Sequence, residues 1–443
     1  MSDQLPSNED SQFTRRKFVK STVLGASALG MGTLAFPVAN AAVQAAGNRK
    51  LKVGVVGVGG RGSGAVRDII NADPNTVIWA AGDIFDSRIK SFGKLKNKYS
   101  GRIDTDGGKR EFVGFDSYQK VIDSGVDIVL LTSTPAFRPL HFEAAVAAGK
   151  HVFMEKPFAL DIPGLKSVVE NAKKAQSNGQ SVLTGLVWRY SPHLMEMHKR
   201  IKDGAIGDVL SCSSAYSGGG RPNQMPDIKF KPPTMSDMEW SLRYWQNFLE
   251  LSGDGILEFM IHGIDRMSWA MGDAIPVKCY ANGANINPVK AANTWDQFSL
   301  RYEYADGRTS EFFGRQIRGT YAPSGDTIIG TNGRAIADGR GVSIISGGKE
   351  IWKGKGGLGY TNEHKILTKH IREGKVYNDV MDQMGNSHIV ALMGRTAGYT
   401  GKLITGDQIM TSTDTLLQDT KDLNFKTPFK ARKPAHPGKT KFV

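Results

Sequence analysis

The segment Gly57-Val58-Gly59-Gly60-Arg61-Gly62 carries the most directly readable chemistry in this 443-residue chain, because it fits G-x-G-x-x-G. Gly57 permits a tight turn, Gly59 lets backbone approach a pyrophosphate, and Gly62 lets a helix pack closely on a strand. The helix that follows such a turn offers free N–H groups and a positive dipole end to phosphate oxygens. Arg61 adds a charge contact there. The chain has 52 glycines, so the pattern alone arises easily by chance, and its neighbours must decide. Asp83 closes the next strand-like run, where a carboxylate suits the adenosine ribose hydroxyls of NAD and repels the extra phosphate of NADP. NAD is therefore favoured, while Arg88 nearby leaves NADP open. Thr134 and Lys156 also close apolar runs, in Thr132-Ser133-Thr134-Pro135 and Glu155-Lys156-Pro157. Open α/β sheets bind their ligands at such carboxyl ends.

The elements that must position these residues follow from the apolar pattern. Lys50–Val56 reads as a buried parallel strand, short and β-branched, running into the glycine turn and then a helix from about Ser63 to Ala72. Thr76–Ala81 reads as a second strand, Asp116–Asp123 as a short helix, Val126–Leu131 as a strand, His141–Ala148 as a helix and His151–Met154 as a strand. Strands separated by helices indicate an α/β fold with a doubly wound parallel sheet. The length favours two domains. They are expected at 42–187, a dinucleotide-binding Rossmann domain, and at 188–443, a substrate and oligomerisation domain.

Gly57–Gly62, Asp83, Thr134-Pro135 with His141, Gly149-Lys150-His151-Val152 and Glu155-Lys156-Pro157 together resemble the Gfo/Idh/MocA family of glucose-fructose oxidoreductase and inositol dehydrogenase. The resemblance implies a C-terminal α/β domain on a large open, mostly antiparallel sheet, and NAD(P)-linked chemistry on sugars, polyols or their derivatives. It implies cofactor contacts from Gly57, Gly59, Arg61, Gly62, Asp83, Thr134, Pro135, His141, Glu155 and Lys156. Gly253–Asp265 looks like the family's catalytic helix, commonly D-x-x-x-H, with Glu258 in place of the Asp and His262 four residues on. That spacing puts both side chains on one helical face. Leu242-Arg243-Tyr244-Trp245, Arg315-Gln316, Tyr360 with Asn362-Glu363-His364, and Met393-Gly394-Arg395 look like a secreted branch of the family.

Oxidising a sugar hydroxyl needs a base for the O–H proton and a cation for the developing alkoxide. His262 suits the first role, since an unperturbed imidazole titrates near working pH. Lys156 suits the second, and Glu258 would orient His262 or bond a second hydroxyl. Arg189, Tyr190, Trp245, Arg315, Tyr360 and His364 are candidate substrate contacts, supplying hydrogen bonds and flat faces. The Gly218-Gly219-Gly220-Arg221-Pro222 loop, with the Pro-rich stretch to Pro233, reads as an excursion lining or covering the cleft. No H-E-x-x-H, C-x-x-C or carboxylate-rich loop appears, so no metal site is expected, and G-x-S-x-G is absent.

Thr14-Arg15-Arg16-Lys17-Phe18-Val19-Lys20 fits a twin-arginine export motif, followed by an apolar stretch to about Val38 and Ala39-Asn40-Ala41, a cleavage pattern. Residues 1–41 thus read as a signal for the twin-arginine machinery, giving an exported, periplasmic chain with no stable membrane anchor. That route carries folded proteins, which suggests a tightly bound cofactor acquired inside the cell. Three functions then compete: an oxidoreductase that couples two sugars on one held cofactor, a redox-neutral NAD-dependent glycoside hydrolase resembling family 109, and a non-catalytic sugar-binding protein. The first is preferred. The net charge of +14 raises nucleic acid as a partner, but the basic residues are scattered, and none is expected. Lys426–Lys441 reads as a loose basic tail. Two cysteines, Cys212 and Cys279, cannot build a disulfide scaffold and are expected as buried thiols, with one bridge left open. A homo-oligomer through the open face of the second sheet is expected.

Overall fold

A computed structural model of the chain describes residues 47–220, 225–339, 341–417 and 420–443. The export motif, its cleavage pattern and Arg221-Pro222 of the glycine loop lie outside the described residues.

The first sheet has strands β1 (Leu51–Val56), β2 (Thr76–Asp83), β3 (Glu111–Val113), β4 (Ile128–Leu131), β5 (His151–Met154) and β6 (Val182–Thr184). All pair in parallel, in the order β3-β2-β1-β4-β5-β6. Every residue of β4 and β5 is buried, as expected where helices cover both faces of a parallel sheet. The order reverses between β1 and β4, which opens a crevice at their carboxyl ends.

Boundaries move where side chains intervene. The first helix is Gly60–Ala72, starting earlier than Ser63, because extended Gly59 already serves as its N-cap. β2 continues through Asp83, so the acidic residue is part of the strand. β4 begins at Ile128, because the Asp127 carboxylate accepts the Lys52 N–H at 2.8 Å and two bonds from Arg49 at 2.9 Å. The next helix begins at Arg138, with proline in its first turn.

The second sheet has nine strands: β7 (Val209–Tyr216), β8 (Lys278–Ala284), β9 (Gln297–Glu303), β10 (Thr309–Arg315), β11 (Ser324–Gly330), β12 (Gly333–Asp338), β13 (Gly341–Ser346), β14 (Lys349–Gly354) and β15 (Ile404–Thr405). The order is β14-β13-β12-β11-β7-β10-β9-β8-β15, antiparallel except where β10 meets β7. Burial alternates along β9 and β10, the period-two pattern of a sheet with one covered face. Helices Ile261–Ala270 and Gly385–Thr400 cover that face, while Tyr280, Phe313 and Ile329 are exposed on the other strand positions. Cys212 and Cys279 are buried free thiols, so the open alternative of a bridge is settled against.

The chain returns to the first sheet late. Helix Tyr360–Glu373 packs along Gly60–Ala72, and the Arg372 guanidinium grips the Asp73 carboxylate at 2.6 and 2.9 Å. The expected loose tail is instead folded onto the body. Phe425 and Phe429 pack on aromatic partners, Arg432 pairs with Asp414 at 2.7 Å, and the Gly438 N–H donates to the Thr400 carbonyl at 2.9 Å. Aromatic residues spaced among the lysines supply anchors that a reading of charge alone overlooks. Among the described residues no helix is long and apolar enough to cross a membrane.

Candidate active site

A cavity of about 660 Å³ lies at the carboxyl ends of β1, β2, β4 and β5. Its nucleotide-like end is built by the glycine turn. Gly57 has φ +90, and a Cβ there would meet the Ser133 backbone at 2.6 Å. A Cβ on Gly62 would stand 1.9 Å from the Gly57 carbonyl oxygen, so helix and strand touch here as closely as backbone allows. Gly59 faces open space, and the helix start has no side-chain cap, leaving its first amides available to an anion. Asp83 Oδ2 accepts the Val58 N–H at 2.9 Å and Oδ1 accepts the Phe85 N–H at 3.0 Å. Burial pushes this carboxyl up, partly offset by those amide bonds and by Arg88. The donor set and the open cradle fit a dinucleotide.

Arg61, expected at a phosphate, is engaged by the protein's own side chains. It pairs with Glu155 at 2.8 Å and Asp68 at 2.7 Å, and lies 4.5 Å over the Tyr360 ring. Burial opposes its charge, but Glu155 and Asp68 outweigh that and raise its pKa. Thr134 caps the short turn started by Pro135, and both line the cavity. His141 lines it too, bonded to Ser133 Oγ at 3.1 Å and stacked on Tyr118 at 4.2 Å. Burial and the charge of Arg138 lower its pKa to about 3.

The other end holds Lys156, Glu258, His262, Trp245 and Tyr360. Lys156 follows buried Glu155 at the end of β5, where Gly185 leaves room for that carboxylate: a Cβ at 185 would meet it at 2.9 Å. The Lys156 ammonium donates to the Glu258 carbonyl, and Glu258 Oε1 accepts from Gln246 Nε2 at 2.8 Å. Glu258 lies on a wide π-type turn, Ile256–Met260, that runs into the helix carrying His262. The expected single α-helical face is thus a wider turn, yet both side chains reach the cavity. His262 is 8% exposed, and its Nδ1 has no hydrogen-bond partner among the described residues. Burial, then Lys156, Arg266 and Arg61, push its imidazole well below the ordinary range.

Four expected substrate contacts are not in this cavity. Arg189 is buried against Asp265 at 2.8 Å and the Asp273 carboxylate, an internal ion-pair cluster. Tyr190 is buried with its hydroxyl on the Asp379 carboxylate. His364 is fully buried against Phe153, with ring centroids 4.3 Å apart, and burial lowers its pKa to about 3. Arg315 turns to the Tyr321 carbonyl at 2.8 Å, outside the cavity lining. A buried arginine needs carboxylates more than a solvated one does, and sequence neighbours do not reveal them.

The cavity also holds residues that sequence reasoning passed over: Gln246, Tyr118, Phe85, Phe115, Phe137 and Arg138. Phe85 had a usable signal, since it follows a strand's carboxyl end by two residues. Gln246 had one too, directly after Trp245. Arg138, bonded to the Pro157 carbonyl at 2.6 Å, had none. Among the described residues no cluster of His, Cys, Asp or Glu side chains is arranged to hold a metal ion.

Residues 51–181 match the Gfo/Idh/MocA oxidoreductase family, NAD-binding Rossmann fold, and residues 194–336 match the GFO/IDH/MocA C-terminal domain. The inositol 2-dehydrogenase/D-chiro-inositol 3-dehydrogenase of Lactiplantibacillus plantarum is 26% identical over 227 residues, 50% of this chain and 53% of that enzyme. The chain thus spans about half the length of the curated relatives it matches. Solved structures share the fold. The aldose-aldose oxidoreductase of Caulobacter crescentus has a TM-score of 0.63 at 17% identity, covering 81% of this chain and 100% of that one. GenD2 from gentamicin A biosynthesis, in complex with NAD, has a TM-score of 0.62 at 19% identity, covering 81% and 96%. With both of its domains matched over more than half of its length, the chain belongs to the Gfo/Idh/MocA oxidoreductase family.

Proposed function

We propose that this protein is an NAD-dependent oxidoreductase acting on a CH–OH group of a sugar, polyol or sugar derivative, with the cofactor tightly held. One observation carries the reading: a single cavity joins the glycine turn and Asp83 to Lys156, Glu258 and His262. The inositol dehydrogenases among its relatives support the substrate class. When bound, the nicotinamide supplies the hydride acceptor. Gly57, Gly59, Gly62 and Arg61 hold the pyrophosphate end, Asp83 takes the ribose hydroxyls, and Thr134, Pro135, His141 and Glu155 complete that wall.

Lys156 then stabilises charge developing on the substrate oxygen. His262 takes the hydroxyl proton. Its imidazole is held neutral, so it is ready to accept, and its depressed affinity makes it a relay rather than a resting place for the proton. Glu258, steered by Gln246, accepts from a second hydroxyl. Trp245 and Tyr360 offer flat faces to the ring. The chain is exported by the twin-arginine pathway already loaded, on the strength of residues 14–20 and 39–41, and assembles through the sheet face bearing Tyr280, Phe313 and Ile329.

The test is to purify the exported chain without added nucleotide, denature it, and identify what it releases by mass spectrometry. One equivalent of NAD is expected. NADP would overturn the Asp83 argument, and an empty protein with only weak NAD binding would overturn the held cofactor. Product analysis then separates a keto-sugar or aldonate, as expected, from an alcohol released without net oxidation, the mark of a redox-neutral glycosidase.

A further inference from the structure

The aromatic residues around the nucleotide end of the cavity form a continuous wall. Tyr118 stacks on His141 at 4.2 Å, His141 on Phe137 at 5.9 Å, and Phe137 meets Phe115 edge-on at 6.1 Å. On the other side Phe85 is capped by the Arg243 guanidinium at 4.4 Å. All six residues line the cavity. Phe115 and Phe85 are joined by a residue that does not line it. Phe425, from the C-terminal arm, stacks on Phe85 with ring centroids 5.5 Å apart and meets Phe115 edge-on at 5.0 Å.

The arm is fastened on both sides of this contact. Upstream, the Leu416 N–H donates to Asp161 Oδ2 at 2.9 Å. Downstream, the Arg432 N–H donates to Glu250 Oε1 at 2.7 Å, and Asn293 Nδ2 donates to the Arg432 carbonyl at 3.2 Å. Between these anchors, the hydrogen bonds of Asp422–Thr427 stay within the arm: Thr427 N–H to the Asn424 carbonyl, Asn424 N–H to Thr427 Oγ1, and Lys426 N–H to Asn424 Oδ1. Buried Leu423 and half-buried Phe425 hold this stretch to the body through apolar contact, and Thr420 reaches the cavity itself. Farther along, Phe429 packs on Phe248 at 5.4 Å, so Asp422–Thr427 is the stretch of the arm without a polar bond to the body among the described residues, the kind of segment that opens locally before either sheet does.

We propose that the C-terminal arm is a clasp on the nucleotide end of the cavity, with Phe425 as the positioning residue that holds Phe85 and Phe115 in place, so that the dinucleotide leaves only when the arm lifts. The inference rests on the nucleotide-binding reading above and adds to it what sets the rate of escape.

The experiment uses the full chain charged with isotopically labelled NAD and chased with excess unlabelled NAD, reading the label that stays bound. Phe425→Ala is expected to exchange faster by on the order of ten-fold, since both ring contacts are lost. Phe425→Tyr, which keeps the ring, is expected to restore the wild-type rate. Phe442→Ala, on the same arm but away from the cavity, is expected to leave it unchanged. Exchange by Phe425→Ala at the wild-type rate would overturn the clasp, as would equal acceleration by Phe442→Ala. Should Phe425→Ala fail to fold, amide exchange in the wild-type protein decides: NAD is expected to slow residues 422–427, and no change there overturns the proposal. Wild-type protein that carries no nucleotide on purification and takes up no NAD overturns the nucleotide reading itself, and the clasp with it.

Discussion

At the residue scale, the roles proposed for Lys156 and His262 can be separated by substitution. Lys156→Met is expected to lower kcat by about 10²–10³-fold, as loss of a group facing a developing oxyanion does, with NAD still bound. His262→Gln is expected to cost about 10²–10⁴-fold, the usual range for a proton-transfer group. Because burial and neighbouring cations hold His262 neutral well below its ordinary pKa, the acid limb of kcat/KM should fall well under pH about 6.5. A limb at that value that vanishes in His262→Gln would refute the downward shift while keeping His262 as the titrating group. Glu363 offers a cleaner test of burial. Its carboxyl is fully buried, has no partner among the described residues, and is pushed well above the ordinary range by burial and then by Glu155. Such a group favours folding below its unfolded pKa and loses that contribution as pH rises. Glu363→Gln should therefore raise the melting temperature at pH about 7 and have little effect near pH about 4. The residues legible in sequence were those fixed by backbone geometry, such as Gly57, Gly62 and Asp83. Arg189, Tyr190 and His364 were misread because burial beside distant carboxylates or rings leaves no local trace.

At the element scale, the glycine turn was legible because each glycine answers a steric demand. Gly62→Ala is expected to destabilise by about 1–3 kcal/mol through overpacking against the Gly57 carbonyl. Gly93, within helix Asp86–Lys98 and facing open space, is the contrast: Gly93→Ala should stabilise by about 0.5–1 kcal/mol. Chemical denaturation of both variants checks the pair, and equal effects would remove the steric argument. Four of the six parallel strands were readable from their apolar runs, to within two residues at each end, whereas the three-residue edge strands β3 and β6 are too short to show a pattern. The π-type turn under Glu258 was not, because a four-residue spacing fits both geometries and tertiary packing chooses between them. Nor was the C-terminal arm, whose lysines hide the aromatic anchors.

At the scale of the molecule, acid should unfold this protein early. Burial lowers His141, His198, His364 and His388 to about 3, His151 to about 4, and His262 well below the ordinary value. Between those values and about 6.5 the unfolded chain binds more protons, so stability falls as pH falls, by about 1.4 kcal/mol per pH unit for each net proton. Asp379, raised to about 7, and Glu363, Asp265 and Asp83, also raised by burial, act in the opposite sense, leaving the six histidines in the majority. A melting temperature that drops between pH about 6.5 and 4.5 is expected, and a flat profile would contradict this balance. The position of Phe425 in the chain has a consequence for biogenesis. It follows every strand of both sheets, so during synthesis the dinucleotide domain leaves the ribosome with Phe85 and Phe115 unsupported, and the ring that packs on them arrives only after the second domain has been made. On the clasp proposed above, nucleotide enters and leaves freely during translation, and capture becomes an event of the finished chain.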